Sequence, residues 1–199
     1  MRPAHRIAAG PHPVHLVLDL LQGLGIAAAI GIRPFLPTLL VGALAAEDLG
    51  IDFDGTDFSF LEQPAWLAAV IVLLVITIFV VRSSGPDAME RQPWAYLLGT
   101  FTVVTGLLMG AGSMADGGNS VVPGIIAGTL CAFLGLVVAR ELLGRTRKRL
   151  DREAAGLIAA GASVLFPPLA VLVIGGLLAL LFGGRRRAGE KYAGLRILR

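Results

Sequence analysis

The residues best suited to hold a charged ligand stand beside breaks in long apolar runs. Arg33 is followed directly by Pro34, and Pro37 comes one turn later. A guanidinium at this position could bind phosphate or carboxylate through its fork of donors, helped by the positive end of the helix that starts at Pro34. The alternative is an interfacial arginine whose side chain extends from the apolar run to water. The sequence leaves both interpretations open for Arg33.

A second break carries the polar residues Asp116, Asn119 and Ser120. These side chains could bind a cation, relay a proton or pair with Arg33, and with Arg33 they form the predicted substrate-binding set. The competing interpretation is a solvated turn in which Ser120 caps the following helix. Glycines and prolines mark the breaks and are predicted to be structural, because they interrupt helices: Gly31, Pro34, Pro37, Gly117, Gly118, Pro123, Gly124, Pro167 and Pro168.

Motifs for soluble catalysis are missing from the sequence. It has no phosphate-binding Walker loop, no serine nucleophile elbow and no His-Glu metal helix. We therefore predict no enzymatic activity, no cofactor and no metal site. Asp19 could face the bundle interior or lie at the headgroup level, and His5, His12 and His15 are expected at the membrane interface.

Composition places the breaks inside a membrane protein. Of the 199 residues, 55% are hydrophobic and only 16% are charged. A hydrocarbon layer of about 30 Å takes roughly 20 helical residues. Spanning-length apolar runs cover residues 14–32 with a continuation at 34–46, 64–81, 94–115, 120–139 and 155–182. The sequence predicts an all-α polytopic membrane protein, one domain over 1–199, with about five to six membrane segments, some broken or re-entrant.

Charge predicts which loops share a side of the membrane. Residues 47–62 contain acidic residues and no Lys or Arg, whereas residues 140–153 and the tail 183–199 are basic. Short loops rich in Lys and Arg remain cytoplasmic. We therefore expect the 140–153 loop and the tail inside, with the tail held on anionic lipid, and the 47–62 loop outside. No nucleic-acid partner is expected, and self-association as a homo-oligomer is left open.

The last apolar run poses a parity problem, because both of its ends are predicted to lie inside. At about 1.5 Å per residue, a helix over 155–182 would be roughly 42 Å long, and Pro167-Pro168 interrupts it. A re-entrant hairpin, 155–166 followed by 167–182, resolves both facts. The alternative is one long, kinked and tilted helix with the tail outside.

The first two breaks also resemble each other. Residues 33–45 align without gaps to 119–131, so that Pro37 matches Pro123 and Gly42 matches Gly128. Paired Gly and Pro interruptions are the pattern expected where transporters build a site from broken helices. The alignment predicts repeat halves at 14–82 and 94–182, with the two breaks meeting in the bundle. Similarity of apolar composition is the competing explanation.

Residues 23–37, followed by Leu39, Leu40 and Gly42, resemble the opening of a bacterial integral-membrane family catalogued as domain of unknown function 4126. The later Pro123-Gly124 with Gly128, the basic stretch 145–149 and Pro167-Pro168 also fit that layout. Residues 81–92 depart from the acidic, proline-containing stretch of the family. The resemblance implies a multi-pass protein of the bacterial inner membrane, and it supplies no established activity.

A shorter resemblance suggests a class of substrate. Val122-Pro123-Gly124 with Gly128-Thr129 is similar to the Pro-Gly and Gly-Thr signature of bacterial polyprenyl-phosphate translocases. We therefore hypothesise a small membrane transporter or lipid translocator for an anionic or lipid-phosphate substrate. The alternative is a non-catalytic structural or scaffold membrane protein.

Overall fold

Helices form almost all of the regular structure. A computed structural model describes residues 13–85, 91–141 and 149–193. In these ranges it contains seven α-helices and no strand: α1 Pro13–Ile32, α2 Phe35–Ala46, α3 Pro64–Ser84, α4 Trp94–Asp116, α5 Val121–Glu141, α6 Arg149–Leu165 and α7 Leu169–Ala193. The predicted all-α class is confirmed. The centre of the predicted basic loop, the end of the tail, and His5 and His12 lie outside the described residues.

Four of the described helices are long and apolar enough to cross a membrane. They lie within α1, α3, α4 and α5, whereas α2 and the apolar parts of α6 and α7 are shorter. Two of the spans differ sharply in environment, since half of the α1 window is buried but only 6% of the α3 window is. The chain is thus a multi-pass helical membrane protein with α1 inside the bundle and α3 on its lipid-facing surface.

Helix α1 is the axis of the bundle and packs against α2, α4, α5, α6 and α7. Small residues allow the close approach, because a Cβ on Gly23 would lie 3.2 Å from the Cα of Gly110. A Cβ on Gly31 would collide with the carbonyl of Ala132 on α5. Backbones that approach this closely gain packing that lipid cannot replace.

Contacts along α1 give the direction of its neighbours. On α4, Gly106 lies near Ala27 while Ser113 bonds Asp19, so α4 runs antiparallel to α1. Helix α5 runs parallel to α1, from Asn119 beside Asp19 to Gly135 beside Gly31. The turn between α4 and α5 therefore lies at the beginning of α1.

Helices α6 and α7 form an antiparallel hairpin beside α1. Gly156 near the start of α6 faces Arg33, and Ser163 near its end faces Gly25. Ala170 at the start of α7 also faces Gly25, and Leu177 joins the buried cluster that contains Ile32 and Val138. The sequence-based hairpin is therefore present in place of one kinked helix. Its arms, at Arg149–Leu165 and Leu169–Ala193, extend beyond the expected limits.

The two aligned breaks lie at opposite ends of α1, and the expectation that they meet is wrong. Arg33 follows α1, whereas the 117–120 turn is bonded to Asp19 near its start. Arg33 is fourteen positions after Asp19, which corresponds to roughly 21 Å of helix at about 1.5 Å per residue. Arg33 therefore stands far from Asp116. The alignment failed because α2 returns towards the start of α1 whereas α5 runs parallel to α1, a difference of direction that apolar composition does not encode.

Candidate functional site

Asp19 connects α1 to α4 and to the turn between α4 and α5 at one end of the bundle. The side-chain amide of Asn119 donates to Asp19 Oδ2 at 3.0 Å, and Ser113 Oγ donates to the backbone carbonyl of Asp19 at 2.8 Å. Asp19 belongs to the candidate spanning segment of α1, while Asn119 belongs to the turn between α4 and α5. The ionisable side chain of Asp19 thus bonds the turn between α4 and α5 to α1.

Two glycines make this arrangement possible. A Cβ on Gly117 would collide with the Asp19 carboxylate in its present position, so the glycine leaves room for this carboxylate beside the turn. Gly118 has φ of +68°, in the left-handed region that glycine adopts at helix C-termini. The predicted structural role of Gly117 and Gly118 therefore has a specific cause, the approach of the turn to Asp19.

Three of the predicted site residues fall in this region. Asp116 ends α4 and is half-buried, Asn119 is half-buried, and exposed Ser120 precedes α5. His15, one turn before Asp19, lies within electrostatic range of its carboxylate. Asp19 is the residue that the sequence-based set omitted. Its signal in the sequence was that it is the one acidic residue before Glu47.

Gln22, one turn after Asp19, links two further chain segments to α1. Its Nε2 donates to the Gly50 carbonyl at 2.7 Å and to the Val164 carbonyl at 3.3 Å, and the side chain is 5% exposed. Val164 lies in the last turn of α6, where carbonyls lack partners within the helix. Gln22 thus ties the exit of α2 and the tip of the α6–α7 hairpin to α1, and sequence reasoning did not single it out.

Arg33 stands at the other end of α1. It is half-buried, its backbone N–H donates to the Ala29 carbonyl at 3.1 Å, and Gly156 leaves room beside its Cβ. Arg140, at the end of α5, donates to the carbonyl of Ala95 at 3.0 Å. Arg33 and Arg140 therefore lie at the end of the bundle opposite to Asp19 and the 117–120 turn.

The remaining break residues serve the helix junctions. Pro34 precedes α2, and Pro37 in its first turn packs 3.4 Å from the Cβ position of Gly156. Pro123 lies in the first turn of α5, and the following Gly124 meets the backbone of Gly110. Pro167 and Pro168 form the turn between α6 and α7. These positions explain the geometry of the bundle without a ligand.

The loop between α2 and α3 holds a cluster of carboxylates with metal-ligand spacing. Oxygens of Asp52, Asp54 and Glu62 lie within 4.8 Å of one another. Hydrogen bonds organise the cluster: Asp54 N donates to Asp52 Oδ1 at 2.7 Å, and Phe53 N donates to Glu62 Oε2 at 3.2 Å. Burial raises the pKa of Glu62, and the hydrogen bond and charge of Asp54 and the charge of Asp52 raise this pKa further. Oxygen ligands of this kind suit hard cations.

Comparison with known proteins assigns no family to the chain. No protein-family model, no curated protein and no solved structure matches the chain.

Proposed function

We propose that this protein is a small membrane transporter or lipid translocator in which Asp19 binds a transported or coupling cation or proton. The observation that carries the proposal is the Asp19 carboxylate inside a candidate spanning helix, hydrogen-bonded to Asn119. Ionisable side chains in membrane spans are costly, and they commonly mark ion pathways and proton relays. The two breaks lie at opposite ends of α1 and do not form one site, so the proposal for transport rests on Asp19 instead.

The surroundings of Asp19 suit a group that exchanges a cation. Asn119, Ser113 and Gln22 supply neutral polar atoms nearby, and the 117–120 turn next to them contains exposed residues. The Asn119 amide is neutral and does not cancel the negative charge of the carboxylate, so a cation is attracted, while the hydrogen bond favours the ionised carboxylate that a cation would meet. Asp116 and His15 add two titratable groups at the same end of α1.

An anionic substrate would use the other end of α1. Arg33 is half-buried beside the junction of α1 and α2, and α2 begins at Phe35 directly after it. A guanidinium next to a helix N-terminus suits a phosphate group of a lipid or soluble anion. In this proposal Arg33 and Asp19 are two separate contacts along one helix rather than one composite site.

A scaffold role is the second candidate, and the glycine-mediated packing of the bundle favours it. Gly110 and Gly124 meet backbone to backbone, and Gly31 and Gly135 do the same between α1 and α5. A bundle locked in this way resists the helix movements that transport requires. The two candidates differ in whether removal of the Asp19 charge changes a flux.

Uptake by reconstituted protein separates these candidates. Proteoliposomes with a trapped pH dye are given a proton gradient together with pools of cations, organic anions or short-chain lipid phosphates. Wild type should produce flux above empty liposomes, and Asp19→Asn should abolish it, because asparagine keeps an acceptor for Asn119 but cannot ionise. Asp57→Asn, in the exposed part of the acidic loop, is the matched control and should retain flux.

The anionic branch has its own variants. Arg33→Lys keeps the charge and loses the planar fork, whereas Arg33→Ala loses both. Phosphate-dependent flux should fall in Arg33→Lys and further in Arg33→Ala. Equal flux in all three proteins would remove Arg33 from the site, and no flux in the wild type for any pool would favour the scaffold role.

A further inference from the structure

A groove lies between the end of α2 and the first two turns of α3. Its volume is about 640 Å³, within the range of small-molecule sites. Leu67 of α3 fits over Gly42 of α2, with its Cδ2 2.6 Å from the Cβ position of that glycine. The small side chains of Ala45 and Ala46 line the groove where α2 ends. One wall is therefore apolar and includes Leu67, Ala68 and Ile71.

The groove also has an acidic part. Asp48, Asp54 and Glu62 line it, together with the neutral Gln63. Between Arg33 and Arg82 the sequence contains no Lys or Arg, so α2, the loop and nearly all of α3 offer no basic side chain to these carboxylates. An occupant that neutralises the acidic part has to bring its own positive charge.

We propose that this groove binds a cationic amphiphile, with an ammonium head at Asp54 and Glu62 and an apolar body against Leu67, Ala68 and Ile71. Charge complementarity selects the head, because the polar lining consists of carboxylates and one amide. The apolar wall selects the body, because a bare ion would leave it unused. The proposal goes beyond transport through Asp19 and does not depend on it.

The lipid-facing position of α3 provides a route into the groove. Ala68 is exposed and Ile71 is 49% exposed, so the apolar wall continues into the surface that α3 presents to lipid. An amphiphile in the adjoining leaflet could therefore slide its apolar body along α3 while its head remains near the 47–62 loop. Relative to water, removal of the apolar body from solvent favours the amphiphile over a headgroup alone.

Binding of octyltrimethylammonium to the full chain tests the proposal. The protein is placed in nanodiscs of zwitterionic lipid, and empty nanodiscs correct for partition into lipid. Saturable binding is expected, at least tenfold tighter than that of tetramethylammonium, which has the head without the body. The Asp54→Asn and Glu62→Gln double variant should weaken binding at least tenfold, and Asp57→Asn should leave it unchanged.

A second pair of variants tests the apolar wall independently of the charges. Ala68→Leu fills the groove and should weaken binding, whereas Ala69→Leu, at an exposed neighbour outside the groove, should not. Equal effects of the two substitutions would overturn the proposal. Equal affinity for tetramethylammonium and octyltrimethylammonium would overturn it as well. A third outcome would also overturn the proposal. If calcium binds through Asp54 and Glu62 and is unaffected by Ala68→Leu, and if the amphiphile shows no saturable binding, the acidic cluster is a metal site instead.

Discussion

At the residue scale, the contact between Gly117 and Asp19 decides how the α4–α5 turn closes on α1. Sequence spacing placed Asp116, Asn119 and Ser120 in one turn, because residues that close together must be neighbours. Sequence spacing could not assign Asp19 as the partner of Asn119, since their hydrogen bond joins residues 100 positions apart. Such a contact depends on helix packing directions, which the apolar pattern of α1 does not specify.

Gly117→Ala should destabilise the protein. A Cβ at this position would displace the Asp19 carboxylate from Asn119, and a hydrogen bond typically contributes about 0.5–1.5 kcal/mol to stability. Asp19→Ala in the same chain should add little further loss, because the same hydrogen bond is already broken. Unfolding in detergent measures both, with Gly175→Ala as the control since nothing lies within 4 Å of that Cβ position. If Gly117→Ala and Gly175→Ala behave alike, the close contact is absent.

Glu62 should make the stability of the 47–62 loop depend on pH. Burial and the nearby Asp54 and Asp52 raise the pKa of Glu62 in the folded protein. A carboxyl with a raised pKa favours the protonated fold, so its contribution is fully present at acid pH and is lost as pH rises through the raised pKa. Glu62→Gln keeps an acceptor for Phe53 N and should flatten this dependence, whereas Glu47→Gln should not. Unfolding curves between acid and neutral pH that run parallel for wild type and Glu62→Gln would contradict this.

At the element scale, the sequence was informative about α6 and α7 and misleading about the first two breaks. Pro167-Pro168 in an apolar run longer than one span, with basic residues at both ends of the run, favoured the hairpin over one kinked helix. The pairing of the breaks at Arg33 and Asn119 rested on similar composition. It failed because α2 and α5 leave their breaks in different directions along α1. The repeat halves at 14–82 and 94–182 stay a prediction.

The hairpin itself can be measured with spin labels at Ile158 and Leu178, both of which are exposed. In one continuous helix the separation of twenty positions along the chain would place the labels about 30 Å apart. In the hairpin both arms pack against α1, each with its axis about 8–10 Å from that of α1, and we expect a distance below about 20 Å. Pulsed electron resonance in nanodiscs reports this distance. A single population near 30 Å would show one long helix.

At the scale of the whole molecule, charge is distributed along the axis of the bundle. The 117–120 turn and Gly50 of the acidic loop lie near Asp19 and Gln22, while Arg33 and Arg140 lie at the opposite end. From loop charge the sequence predicted that the 47–62 loop lies away from the basic segment that follows Arg140, but it wrongly placed Arg33 beside the 117–120 turn. We propose that the arginine end faces the cytoplasm, as the distribution of Lys and Arg favours.

Cysteine labelling tests this orientation. With Cys131 replaced by serine, Ser59→Cys should react with an impermeant maleimide from outside intact cells, and Arg187→Cys should react only after permeabilisation. Ser59 belongs to the loop that precedes α3, and Arg187 to the last turns of α7. Labelling of both positions from the same side would overturn the proposed orientation and the membrane re-entry of the hairpin.

The most direct test of the central claim is charge movement at Asp19. Proteoliposomes adsorbed on a solid-supported membrane are exposed to rapid jumps in pH or sodium concentration, and the transient current is recorded. If Asp19, hydrogen-bonded to Asn119 at its end of the bundle, exchanges a proton or cation with solvent, wild type and Asp57→Asn should give the same transient current. Asp19→Asn should then give none at equal protein density. A transient of wild-type size in Asp19→Asn, or no transient in the wild type for either ion, would contradict the account.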